Sequence, residues 1–160
     1  MTDPVTPEKY DRKNDPSSPD FRIMNWIGII SQVTDTRMRQ LLESTNVPLP
    51  QYIILNHFVG QPKNGKTVSG ISWALQQPQP GITKTVRKLL DKGFLRADEN
   101  PDDGRSKTLF ITDAGTTAHK KAEEKLEIAM AETFDGWREW EKRDFFGFLD
   151  RLKSQLEDNR

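Results

Sequence analysis

Cysteine is missing from all 160 residues. Disulfide staples, thiolate metal ligation, cysteine nucleophiles and thiol redox sensing are therefore excluded. Histidine occurs only at His57 and His119, too few for a metal site built on several imidazoles. No segment reaches the roughly 18 consecutive apolar residues of a membrane span. The N-terminal MTDPVTPEKYDRKNDPSSPD has neither the basic start nor the apolar run of a secretory signal. There is no glycine-rich phosphate loop, no Ser–His–Asp order, no metal-ligand spacing and no internal repeat. Nothing in the chain points to catalysis, a metal or a cofactor, and it reads as a non-enzyme.

Net charge is zero as well, with 24 Lys+Arg against 24 Asp+Glu. The balance conceals segregation. Residues 60–96 hold Lys63, Lys66, Lys84, Arg87, Lys88, Lys92 and Arg96 against Asp91 alone, a local net of +6. The segments on either side are acidic. A field near a surface is set by charges within a Debye length, so a cationic middle suits a polyanion despite the zero total. Residues 112–160 net −3, but their Glu123, Glu124 and Glu127 alternate with Lys120, Lys121 and Lys125. That pattern reads as a solvated, ion-paired helix face.

The order of elements follows from apolar spacing and breakers. Pro4, Pro7, Pro16 and Pro19 make residues 1–19 a loose arm. Asp20 offers an N-cap to a helix over 20–46, whose Ile23, Trp26, Ile27, Ile30, Val33, Met38, Leu41 and Leu42 recur in steps suited to one face. The VPLP at 47–50 ends it. A second helix fits 50–59, a turn-rich loop 61–66, and Thr67–Val68 a very short strand. Ser69 caps a third helix over 70–76. Pro80 suits the first turn of a fourth, over about 80–92, with Ile82, Val86, Leu89 and Leu90 inward and Gly93 after its end. Strands at 94–98 and 107–112 flank the hairpin tip ENPDDGRS. Thr112 caps a fifth helix with Ala114, Ala118, Ala122, Leu126, Ala129 and Met130 inward. A sixth covers about 138–157 and carries Phe145, Phe148 and Leu149.

The fold class is therefore mainly α with a small β-hairpin wing: a winged helix-turn-helix between N- and C-terminal helices. The fourth helix would enter a major groove, whose width admits one helix. Its exposed face offers Thr83, Lys84, Thr85, Arg87 and Lys88, with Gln77 and Gln79 at its mouth. Gln reads adenine edges, and Lys or Arg reads guanine or holds phosphate. Ser69 at the third helix start is a phosphate candidate. Arg105 at the hairpin tip is placed to enter a minor groove, with Asp103 and Lys107 beside it. Trp26, Ile30 and His57 form a candidate effector pocket, although each also suits packing. Trp137, Trp140, Phe145 and Phe148 read as interface packing.

At residues 67–115, TVSGISWALQQPQPGITKTVRKLLDKGFLRADENPDDGRSKTLFITDAG, the sequence resembles the MarR family of bacterial transcriptional regulators. The motifs are Lys92-Gly93-Phe94 after the recognition helix, Asp103-Gly104-Arg105-Ser106-Lys107 in the wing, and Ile111-Thr112-Asp113-Ala114-Gly115 leading into a long helix. With flanking helices of matching number and length, the resemblance extends over about 20–157. It implies a homodimer, joined through 20–46 and 112–160, that presents the DNA-binding lobe 47–111 to a pseudo-palindromic double-stranded site. It further implies repression, release by a small aromatic or phenolic effector, a wing in which Asp103 orients Arg105, and a cytoplasmic, nucleoid-associated location. Two places depart from the family pattern: QQPQP stands where relatives carry small hydroxyl residues, and the loop 60–66 is long. The alternative is a winged-helix module that binds protein instead of DNA, disfavoured by the basic residues retained on the fourth helix.

Overall fold

Proline or hydroxyl side chains stand at five of the described helix starts. The computed structural model describes residues 18–61, 63–99 and 107–158. The elements are α1 (Pro19–Leu42), α2 (Leu49–Val59), α3 (Val68–Leu75), α4 (Gln79–Asp91), β1 (Leu95–Glu99), β2 (Lys107–Ile111), α5 (Asp113–Thr133) and α6 (Glu139–Asp158). Six helices and one antiparallel hairpin bear out the expected fold class. Most of the N-terminal arm and the hairpin tip, with Asp103 and Arg105, lie outside the described residues.

The chain divides into two units, one ending at Met38 and the other beginning at Arg39. In the first, α1 presents Phe21, Ile23, Trp26, Ile30 and Val33 with half or more of each side chain exposed. Its start differs from expectation. Ser18, not Asp20, caps it, the Phe21 N–H donating to Ser18 Oγ at 3.2 Å, and Pro19 already belongs to the helix. A hydroxyl one residue before the proline reaches the orphan amide, while Asp20 sits in the first turn and favours the positive end of the helix dipole.

The second unit holds the core. Ile54, Leu55 and Phe58 of α2 are buried, as are Ile82, Val86 and Leu89 of α4, Leu95, Leu109 and Ile111 of the hairpin, and Ala122, Leu126 and Ala129 of α5. α2 packs against α4, α5 and β2, and α4 against α3 and β1. The final turn of α1 ends at Leu42, short of the expected 46. Thr45 Oγ1 donates to Leu42 O (2.8 Å) and accepts from Val47 N–H (3.1 Å), so a hydroxyl closes the helix before the prolines act.

α3 also starts earlier than its spacing suggested. Thr67 Oγ1 accepts from Gly70 N–H at 3.1 Å, which makes Thr67 the cap and leaves Ser69 inside the first turn. The short strand expected at Thr67–Val68 is instead a single bridge one residue earlier, with Lys66 and Leu109 exchanging both backbone hydrogen bonds at 2.9 and 2.8 Å. Gly65 lies against Thr108 and Phe110 so closely that a Cβ would collide with both. The hairpin pairs Leu95 with Ile111, Ala97 with Leu109 and Glu99 with Lys107, setting Leu95, Leu109 and Ile111 inward.

α5 is capped by Thr112, whose Oγ1 accepts from Gly115 N–H at 3.0 Å, as expected. Its inner face differs: Gly115, His119, Ala122, Leu126 and Ala129 are buried, whereas Ala114 is exposed and Ala118 and Met130 are half-buried. The alanine pattern blurs which side is inward, because alanine is tolerated on any helix face. α6 buries no residue, and Phe145, Phe146, Phe148, Leu149 and Leu156 stay exposed.

Candidate nucleic-acid interface

α4 is built as a strongly two-sided helix. Ile82, Val86 and Leu89 anchor one side in the core. The other side presents Gln79, Pro80, Gly81, Thr83, Lys84, Arg87 and Lys88 to solvent, and Thr85 is half-buried at the edge. Pro78 takes the cap position and Pro80 the first turn, where a missing N–H costs no helical bond. Gln79, Pro80, Thr83, Lys84 and Arg87 line one shallow depression. Thr83 Oγ1 donates to Gln79 O at 2.9 Å, and Thr85 Oγ1 to Gly81 O at 3.0 Å. Each hydroxyl proton is thereby engaged, and what these oxygens offer outward is acceptor capacity.

The corner between α3 and α4 is held tightly. Gln76 adopts a left-handed conformation, φ 51°. Gln77 N–H donates to Ser72 O at 3.1 Å, and Ser72 Oγ donates to Gln77 O at 2.6 Å. The Gln77 side chain is exposed, and with Ser72, Trp73, Gln76 and Pro78 it lines a second depression. Ser69 is exposed at the opposite end of α3, its Oγ sharing a hydrogen bond with Thr67 Oγ1 at 3.0 Å. Lys107 is exposed at the start of β2. From Ser44 to Leu90 the sequence contains no acidic residue, so α2, α3 and nearly all of α4 carry no anionic side chain.

The seven cations of the 60–96 segment are not equivalent. Lys92 Nζ donates to Asn46 O at 2.7 Å and to Gln51 Oε1 at 2.9 Å. Gln51 is almost wholly buried. Burial, with a smaller contribution from Lys88, lowers the Lys92 pKa from its ordinary value. This lysine is a clasp from the end of α4 to the turn before α2. Arg96 stacks on the Phe110 ring at 4.4 Å and pairs with Asp98. Lys84, Arg87 and Lys88 remain the outward cations of α4. Charge counting missed the clasp because a sequence does not say which lysine has a carbonyl within reach.

The candidate effector residues fall on separate parts of the chain. Trp26 and Ile30 are exposed on α1, 52% and 53% respectively. His57 is half-buried on α2, its pKa lowered first by burial and then by Lys66. The deeply buried imidazole is His119, 1% exposed. It stacks on Tyr52, centroids 4.8 Å apart, and its Nε2–H donates to Asn56 Oδ1 at 3.1 Å. Glu123 Oε2 lies 3.8 Å from Nδ1. Burial lowers the His119 pKa, and Glu123 opposes that only in part. The spacing of Gly115, His119, Ala122, Leu126 and Ala129 in steps of four and three was the available signal for this residue.

Among the described residues no group of three or more His, Asp or Glu is arranged to hold a metal, and no helix is long and apolar enough to cross a membrane.

Residues 45–106 match the sequence model of the MarR family. No curated protein matches the chain. Among solved structures it is similar to a MarR protein from Peptoclostridium difficile, at 19% identity and TM-score 0.75, covering 94% of both chains. It is also similar to the transcriptional regulator BldR from Sulfolobus solfataricus, at 21% identity and TM-score 0.74, over 85% of this chain and 95% of the other. A third is MepR of S. aureus in a complex with DNA, at 20% identity and TM-score 0.69, over 82% and 96%. At these identities the likeness is one of fold.

Proposed function

We propose that this chain, whose residues 45–106 match the MarR family model, is a transcription regulator that binds double-stranded DNA as a homodimer. The observation that carries this reading is α4: a core-anchored helix whose outer face shows Thr83, Lys84, Arg87 and Lys88 on a surface without acids. The DNA-bound structure of the similar MepR supports it.

α4 enters the major groove. Lys84, Arg87 and Lys88 hold phosphates or guanine edges, and Gln77 and Gln79 reach adenine edges. Thr83, with its proton turned inward, accepts from an adenine or cytosine amino group, and Thr85 acts likewise at the rim of the contact. Ser69 meets the backbone where the first helix of the pair crosses it. Arg105, oriented by Asp103, enters the minor groove and Lys107 follows it to the backbone. These wing roles rest on the sequence motif.

The lobe 47–111 thus serves as the DNA reader, and 20–46 with 112–160 as the pairing helices. Two lobes read half-sites about one helical turn, roughly 10 bp, apart. The exposed apolar residues of α1 and α6 support pairing. Repression at a pseudo-palindromic operator, relief by a small aromatic acid, and action at a bacterial nucleoid complete the reading.

Selection of bound duplexes from random DNA tests it. A two-fold symmetric site is expected, with an affinity that falls steeply with salt as bound counterions are displaced. Arg105→Ala should weaken binding by about 1–3 kcal/mol. Recovery of no enriched sequence, or binding indifferent to salt, would overturn the proposal.

A further inference from the structure

Trp73 stands out on the surface beside α4. It is 76% exposed, more than any other large hydrophobic side chain described. Its helix needs no such residue for packing, since α3 is anchored by the buried Ile71. Trp73 lies one turn beyond Ser69, so the two share the outward face of α3.

The indole is carried on a stiff support. The left-handed Gln76, the Gln77 N–H to Ser72 O bond and the Ser72 Oγ to Gln77 O bond fix the α3–α4 corner. Trp73 lines the depression at that corner with Gln77 and Pro78. The neighbouring depression begins at the next residue, Gln79, and continues past Thr83 to Lys84 and Arg87. The two depressions follow one another along the chain at Pro78 and Gln79, and no acidic residue stands between Trp73 and Arg87 in the sequence.

We propose that Trp73 is a DNA-contacting residue, its indole lying against the sugar–phosphate backbone at the edge of the major groove that α4 enters. The inference rests on the DNA-binding reading above and extends it to a residue outside the recognition helix and the wing. In a helix-turn-helix the first helix crosses the backbone, which brings its outward face to the strand. An indole offers an apolar plane for the deoxyribose and one N–H donor for a phosphate oxygen. The surroundings favour nucleic acid over a protein partner. The polar Ser72, Gln76 and Gln77 border this depression with Pro78, whereas a protein hot spot sits within a contiguous apolar, water-excluding surround.

The test compares the full chain with Trp73→Ala and Trp73→Phe on a fluorescein-labelled duplex of roughly 30 bp, recovered by selection and long enough for two half-sites with flanks. Trp73→Ala should bind about tenfold more weakly, the equivalent of about 1.4 kcal/mol. Its salt dependence should match that of the unaltered chain, because an indole neutralises no phosphate. Melting curves should coincide, as befits so exposed a side chain. Addition of unlabelled duplex should also quench tryptophan emission in the unaltered chain by more than in Trp73→Phe. Equal affinity of the unaltered chain and Trp73→Ala overturns the inference and leaves the DNA-binding reading standing, as does equal quenching in Trp73→Phe. If the unaltered chain binds no duplex, both fall together.

Discussion

His119 shows how a single side chain ties stability to pH. Its imidazole is enclosed, stacked on Tyr52, and donates to Asn56. Burial lowers its pKa below the usual value near 6.5, so the unfolded chain takes up the proton first as pH falls. The stabilisation is therefore complete above about pH 6.5 and is lost progressively below it. His57, also lowered, acts in the same direction. Thermal melting should show a drop between about pH 7.5 and 5.5 that is smaller in His119→Gln, which cannot take up the proton. An identical drop in that variant would place the effect elsewhere. Gly115 makes a second prediction. A Cβ there would strike the Phe94 carbonyl oxygen, a backbone atom that cannot turn aside. Gly115→Ala should cost about 1–3 kcal/mol in denaturant unfolding. Gly81→Ala, facing open space on α4, should be neutral or gain up to about 1 kcal/mol. Equal effects at the two glycines would contradict the packing described for α5.

α4 is positioned from both ends. Pro78 and Pro80 open it, and the Lys92 clasp to Asn46 and Gln51 closes it. Beyond the clasp, Thr112 Oγ1 donates to Gly93 O at 2.7 Å and Thr112 N–H to Phe94 O at 3.1 Å, tying the start of α5 to the same exit. Lys92 and Lys88 should consequently behave differently on mutation. Lys92→Met should weaken DNA binding while leaving its salt slope unchanged, because that ammonium already serves carbonyl oxygens. Lys88→Ala should reduce the slope by about 1 for each chain bound. Affinity measured across a salt series separates them, and a reduced slope in Lys92→Met would return that residue to the phosphate-contacting set.

For the molecule as a whole, the apolar residues of α1 and α6 matter most. Phe146, Phe148 and Leu156 of α6 are each more than half exposed, and α1 shows Phe21, Trp26, Ile30 and Val33. The proposed pairing would take such apolar side chains out of water on each helix. Sedimentation equilibrium should give twice the 18.4 kDa chain mass. Phe148→Glu should give the single mass, and should lower affinity for a two-half-site duplex at least about a hundredfold through lost bivalency. A single-chain mass for the unaltered protein would remove pairing from the proposed mechanism.

Much of this was legible from local chemistry. Periodic apolar residues, prolines and Gly93 gave all six helices and the hairpin, because each answers to constraints within a turn or two of chain. Thr112 could be recognised as a cap since its partner Gly115 lies three residues on. The Ser18, Thr45 and Thr67 caps were misplaced because several hydroxyl, carboxylate and proline candidates stood close together, and backbone geometry chose among them. The outward face of α4 could be read from its sequence, since Ile82, Val86 and Leu89 define its inner side. Long-range approach settled the rest. Asn46 and Gln51 are brought to Lys92 across more than 40 residues, and Asn56 to His119 across 63. Which lysine becomes a strut and which histidine is enclosed depends on those distant groups arriving, and no pattern along the chain encodes their arrival.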